Sequence, residues 1–212
     1  SHELKTPISI IKLNLQSLQQ YELPPAETKK IISNSLNENY RIETITNNIL
    51  LCNELLVDEY KVQFQEVDLN WILNKVLKKF ISHPEYHTIS VENIDMITIL
   101  ADPILIEIFL TNLIDNALKY GLKNNIEIKI KRLSHQIIFE IADQGIGIDP
   151  VNNKELFKKF SRIKNNISMK TTGTGLGLYI CKLISQQHHG EFIYFPNNPT
   201  GSVFRLTLPQ NK

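Results

Sequence analysis

Cysteine is scarce in this chain of 212 residues: Cys52 and Cys181 are the whole supply. Both fall inside helical apolar patterns and have no metal-ligand spacing, so they read as reduced, buried thiols of a cytosolic protein. An excess of either charge is also lacking. Lys and Arg number 23 against 22 Asp and Glu, a formal net charge of +1, which gives no electrostatic case for nucleic acid or an anionic membrane as main partner. No apolar run approaches the roughly 20 residues of a membrane span, and no signal peptide opens the chain. Internal repeats and low-complexity tracts are missing as well. What remains is ordinary globular material, 42% hydrophobic and 21% charged, enough for one large domain or two modest ones.

Two patterns follow one another along the chain. In the first 60 or so residues, Leu4, Ile8, Ile11, Leu15 and Leu18 recur at alternating spacings of four and three, a coiled-coil seam. Two prolines break it between Tyr21 and Pro25, and a second helix carries Ile32, Leu36, Ile42, Ile45, Ile49, Cys52 and Leu56. Two helices with one apolar stripe each do not close a core. A second copy of the chain completes it as a dimeric four-helix bundle; packing against the rest of the same chain is the alternative. From about residue 62 the pattern is mixed. Ile126, Ile128 and Ile130 alternate with charged residues, and Ile137, Phe139, Ile141 and Asp143 share one face of the next strand. Residues 103–120 and 175–188 read as helices, and 191–196 and 202–208 as strands. The predicted fold class is α+β: a helical hairpin over 1–60, then an α/β sandwich over 62–212 with helices on one face of a mixed sheet.

Several residue sets carry chemistry. His2 falls at a b position of the seam, on the solvent side, where packing gives no reason for an imidazole. A neutral ring nitrogen can attack phosphorus, and the adjacent Glu3 is placed to take the proton or orient the ring. Pro7 removes a backbone donor opposite the carbonyl of Glu3, so the helix should bend beside the acceptor. Alone, the pair better fits an ordinary exposed His-Glu dipeptide at a frayed terminus; the proline spacing and the downstream motifs reverse that preference. Asn112 and Asn116, four apart on a helix, are poor helix formers sharing one stripe, with Lys119 and Tyr120 extending it. Their carboxamides can offer oxygen to Mg²⁺ and nitrogen to phosphate, although a wet helix face has the same composition. Asp143 continues an inward strand face, where a lone carboxylate is costly and the amino group of adenine would satisfy it. Gly145 and Gly147 let a flat ligand approach, though an Asx-type turn also fits. In GTGLGL, Gly173, Gly175 and Gly177 free backbone amides at a helix N-terminus that favours phosphates, without the lysine of a P-loop. Residues 149–172 would form a flexible lid with Phe157 and Phe160 as hydrophobic anchors. His188 and His189 precede Gly190 at a helix end, a place for partial positive charge and a glycine C-cap. His83, His87 and His135 read as loop or surface positions, and no histidine suggests a metal site.

Taken in order, SHELKTPI (Ser1 to Ile8), NLIDNALKYG (Asn112 to Gly121), DQGIGI (Asp143 to Ile148), FKKFSR (Phe157 to Arg162) and GTGLGL (Gly173 to Leu178) resemble the motifs of a bacterial two-component sensor histidine kinase over nearly the whole chain. The resemblance implies a dimerisation and phosphoacceptor hairpin followed by an ATP-binding domain of the kinase, gyrase and chaperone type. His2 would be the phosphorylated residue, Glu3 the catalytic acid/base, and Thr6 the residue that orients water when a partner is dephosphorylated. Asn112, Asn116, Lys119 and Tyr120 would contact nucleotide, Asn116 the metal, and Asp143 adenine. Gly145, Gly147, Ile148, Phe160, Gly173, Thr174, Gly175, Leu176, Gly177 and Leu178 would complete the nucleotide contacts, and Arg162 would reach the terminal phosphate. Lys5 and Lys159 stand where the family often has arginine. The implied cofactors are ATP and Mg²⁺. The implied partners are a second copy and the receiver domain of a response regulator, with no nucleic acid and no membrane contact by this stretch. Its place would be the cytoplasmic part of a membrane-bound sensor, N-terminally truncated just before His2. Two readings compete. ATP-hydrolysing relatives of the fold typically use a glutamate where Asn112 stands, and a degenerate kinase could serve as a scaffold. A phosphatase-biased member of the same family also fits, because Thr6 is present.

Overall fold

The computed structural model describes residues 2–57, 59–92, 97–133, 135–163 and 173–209, with the backbone alone at His2. The chain forms two compact units, Ser1–Asn53 and Glu54–Lys212.

The first unit is a helical hairpin, α1 (His2–Gln20) followed by α2 (Pro25–Leu56), the last turn of which belongs to the second unit. The helix α1 continues through Pro7, which is buried. Pro7 lies beyond the first turn, so it forgoes the bond to the carbonyl of Glu3. Asn14 donates to Ser35 Oγ at 3.0 Å and so ties the two helices together. The expected single seam divides. Leu4, Ile11 and Leu18 are half-buried and Ile45 is buried, whereas Ile8, Leu15, Ile32 and Leu36 are each about half exposed. On α2 the covered positions include Ile31 and Ser35, one residue before the predicted Ile32 and Leu36. One apolar stripe thus packs within the hairpin, and a second faces outward.

The second unit holds a five-stranded sheet in the order β2 (Ile89–Val91), β4 (Ile126–Leu133), β5 (Gln136–Asp143), β7 (Ser202–Pro209), β6 (Glu191–Pro196). The β2–β4 pair is parallel and the rest are antiparallel. A separate antiparallel pair joins β1 (Gln65–Asp68) to β3 (Thr98–Ala101). The predicted alternation holds: along β5 every second residue from Ile137 to Asp143 is buried, β7 matches it row by row, and β4 matches it at Ile126, Ile128 and Ile130. Over these rows lie α4 (Pro103–Tyr120) and α5 (Gly177–Gln187), with Phe109 set edge-on to Phe192 at 5.1 Å. The helix α3 (Leu69–Lys79) packs against α4. Aspartates start two of these helices: Asp68 accepts from the amides of Asn70 and Trp71, and Asp102 from those of Ile104 and Leu105, caps worth about 1 kcal/mol each. No helix among the described residues is long and apolar enough to cross a membrane.

Candidate functional site

Ile106, Phe109, Leu110, Leu113, Ile114, Ala117 and Leu118 fill the buried side of α4, so the residues between them are forced to its edge. Asn112, Asn116 and Lys119 lie there half-buried at helical spacing, the stripe expected from the sequence. Asp115 joins them and forms an ion pair with Lys119, so an incoming phosphate would compete with that carboxylate. Tyr120 closes the helix, and its carbonyl accepts from the amide of Ile146 at 3.4 Å.

Asp143 ends β5, where the sheet runs out beneath Gly121, and is only 4% exposed. From the strand pattern, a ligand is the expected partner of this carboxylate. Instead the protein satisfies part of it: Oδ1 accepts the Gly145 amide at 2.8 Å, and Ser202, its register partner on β7, donates both amide and hydroxyl. Burial nevertheless outweighs these bonds and raises the carboxyl's pKa above its ordinary value. Asn197 adds an amide to the Asp143 carbonyl at 2.8 Å. Ser202 and Asn197 were missed in the sequence. The only trace of Ser202 is its place at the start of a strand directly after Gly201, and its pairing with Asp143 appears only in the register.

Two glycines bring backbone close to this cluster, and at Gly145 no other residue fits. A Cβ on Gly145 would stand 2.0 Å from the Tyr120 carbonyl oxygen, so no side chain fits between the DQGIGI segment and the end of α4. A Cβ on Gly177 would come within 3.1 Å of Asn112 Oδ1, which puts the start of α5 directly on the asparagine stripe. Gly147 takes a left-handed φ of 66° beside Gly201, and Ile148 next to it is half-buried, its carbonyl within 3.5 Å of the Tyr194 hydroxyl.

At the other end of this cluster, Thr174 Oγ1 accepts the Leu176 amide at 3.2 Å, and Gly175 bends with a φ of 67° against the backbone of Phe160 and Ser161. Gly173 and Leu178 are half-buried nearby, and Leu176 is fully buried. Leu176 is the N-cap of α5, and among the described residues no side chain caps it, unlike α3 and α4. The amides of that first turn therefore point where an anion is favoured. The lid expectation is corrected in part. Leu156 is buried and Phe157 sits edge-on to Phe192 at 5.2 Å, whereas Phe160 is half exposed, with a φ of 62° and Lys159 over its ring. Arg162 is half-buried, and residues 164–172 of the expected lid lie outside the described residues.

The helical unit places Glu3 in the first turn of α1, half-buried, with Thr6 exposed one turn on; the imidazole of His2 lies outside the described part. The reading of His188 as a site for positive charge is overturned. It is 4% exposed, its Nδ1 donates to the Ile184 carbonyl at 2.9 Å, and its Nε2 accepts the Asp102 amide at 3.0 Å. Burial lowers its pKa, so the ring is neutral. The left-handed residue after α5 is His189, while Gly190 is needed because a Cβ there would meet the Thr207 carbonyl oxygen at 2.6 Å.

Residues 101–212 match the family described as histidine kinase-, DNA gyrase B-, and HSP90-like ATPase, and residues 1–54 match the His Kinase A (phospho-acceptor) domain. The signal transduction histidine-protein kinase ArlS of Staphylococcus haemolyticus is 33% identical over 193 residues, covering 90% of this chain and 43% of that protein. The heme sensor protein HssS of Staphylococcus aureus is 29% identical over the full chain and 46% of its own length. The chain thus spans less than half of these curated relatives. Among solved structures, the Acinetobacter baumannii histidine kinase AdeS superposes over 100% of this chain and 99% of its own at a TM-score of 0.81 and 24% identity, a likeness of fold. Histidine kinase ThkA, solved in complex with response regulator protein TrrA, gives 0.71 at 26% identity over 99% of this chain and 59% of its own.

Proposed function

Because this chain belongs to the histidine kinases, we propose that it transfers the γ-phosphoryl group of ATP to His2 and passes it on to an aspartate of a response regulator. Residues 1–60 serve as the dimerisation and phosphoacceptor domain and residues 62–212 as the ATP-binding catalytic domain. The observation that carries this reading is the convergence on one place of the buried Asp143, the asparagine stripe of α4 and the uncapped start of α5. Asp143 presents a carboxylate to the adenine amino group, and Gly145 and Gly147 keep that approach free of side chains. Asn112, Asn116 and Lys119 face the phosphates with the first-turn amides of α5, and Arg162 reaches the terminal one. The carboxamide oxygens of Asn112 and Asn116 are hard ligands of the kind that suits Mg²⁺, which when bound neutralises phosphate charge.

In the transfer, a ring nitrogen of His2 forms the P–N bond as the bond from the γ-phosphorus to its bridging oxygen breaks and ADP leaves. The proton on the other ring nitrogen goes to Glu3. Thr6, one turn on, supports the reverse traffic by orienting water against a phosphorylated regulator. The outward stripe containing Ile8, Leu15, Ile32 and Leu36 supports a four-helix bundle with a second copy. The full-length protein is a membrane sensor of which this stretch is the cytoplasmic part. Asparagine at position 112 disfavours an ATP-hydrolysing relative, in which a glutamate would activate water. Replacing His2 by Gln tests the assignment: phosphate incorporation should vanish while ATP still binds, and retained incorporation would remove His2 from the mechanism.

A further inference from the structure

Within the helical unit, one cation sits between two carboxylates from two helices. Arg41 on α2 brings Nη2 to 3.5 Å from Glu3 Oε2, and its Nη1 lies 3.7 Å from Glu38 Oε2, one turn earlier on its own helix. The side chains are 24%, 32% and 17% exposed for Arg41, Glu3 and Glu38, so none is fully in solvent. The Oε2 atom of Glu38 is buried without a hydrogen bond, leaving the nearby guanidinium as its charge compensation. We propose that Arg41 is a positioning residue for phosphoryl transfer, holding the Glu3 carboxylate where it can receive the proton of the acceptor histidine.

This inference rests on the reading of Glu3 as acid/base. Glu3 carries a long side chain that samples several rotamers unless a partner holds it, and it lies on α1. Arg41 lies deep inside α2, and its guanidinium is a permanently charged planar fork with separate nitrogens for separate partners. Glu38 fixes one side of the fork and offsets its charge, so the other side holds Glu3 through geometry without a large net field. A pair this exposed adds little to stability. Its value lies in keeping a reacting group in register, where an error of about 1 Å costs up to about 100-fold in rate. Lysine keeps the charge but lacks the fork, so it cannot hold both carboxylates in the same geometry.

Autophosphorylation rates at saturating ATP, with nucleotide affinity measured separately, test the assignment in wild type, R41A, R41K, E3Q and the double variant E3Q/R41A. R41A should slow the maximal rate about tenfold with KM for ATP unchanged, and R41K should recover part of the loss. The double variant should be no slower than E3Q, because a residue acting through Glu3 has nothing left to position. If R41A does not fold, R41K and E3Q/R41K carry the same comparison. A wild-type rate for E3Q would overturn the reading of Glu3 itself. A slow E3Q beside a fast R41A, or a double variant slower than E3Q by the whole factor of R41A, would overturn the role of Arg41 alone.

Discussion

At the end of β5 the inner face of the sheet holds the Asp143 carboxyl, buried and with its pKa raised by that burial. The period of two through Ile137, Phe139 and Ile141 puts its side chain on the inner face, so its burial was legible. Its protein partners were not, because Ser202 lies 59 positions later and meets it only through the β5–β7 register. The raised pKa has a consequence for stability. The folded state binds the proton more tightly than the unfolded chain, so the ionised carboxylate opposes folding above its ordinary pKa. Asp143→Asn should therefore raise the melting temperature of the nucleotide-free protein at pH 7 by about 2 °C. It should also remove the further rise that ATP gives wild type. Differential scanning fluorimetry with and without ATP reads both, and a nucleotide-induced rise that survives in the variant would separate Asp143 from the adenine contact. Histidine 188 gave the opposite lesson. Two histidines before a glycine at a helix end suggested charge, but β7 lies against Gly190 and the ring is buried and neutral.

At the level of elements, long periodic segments were readable and short paired ones were not. The helix α4 and the strands β4 to β7 carry enough repeats to show their period, whereas β1, β2 and β3 span only three or four residues each. The hairpin helices were legible as helices but not in their facing, since a narrow seam and a second outward stripe differ by one residue in register. Around His188 several segments are joined. Asp102 caps α4 with Oδ1, accepts the Gln63 amide at 2.9 Å and the Tyr60 hydroxyl at 3.3 Å with Oδ2, and gives its own amide to His188. Burial, with the Asp102 charge and hydrogen bond added, pushes the Tyr60 hydroxyl up to about 12. Phe64 covers the His188 ring edge-on at 5.4 Å. Asp102 favours the charged imidazole and His189 opposes it, but burial is the largest influence and lowers the pKa. The unfolded chain therefore takes up a proton first, near the ordinary value of 6.5, and stability falls as pH drops below it. Thermal melts from pH 7.5 to 5.5 should show this loss in wild type, and a shallower slope in His188→Gln, whose amide oxygen can still accept the Asp102 amide. An equal slope in both would place the titrating group elsewhere.

On the scale of the whole molecule, the order of the motifs was the most legible feature, because it names chemistry the fold then brings together. Glycine and asparagine positions more than 60 residues apart, Asn112 and Gly177, meet within a few ångströms. The sequence could not show that meeting, since it depends on α4 and α5 lying side by side over the sheet. The two compact units give the proposed reaction its two halves, a helical acceptor and an ATP-binding donor. The central claim is the transfer from one to the other, and the measurement that tests it most directly is incubation with γ-labelled ATP and Mg²⁺ followed by acid or alkali treatment of the protein. The account predicts label that survives alkali and is lost in acid, as a phosphorus–nitrogen bond requires. Label that survives acid, or none on a protein that binds ATP, would contradict it.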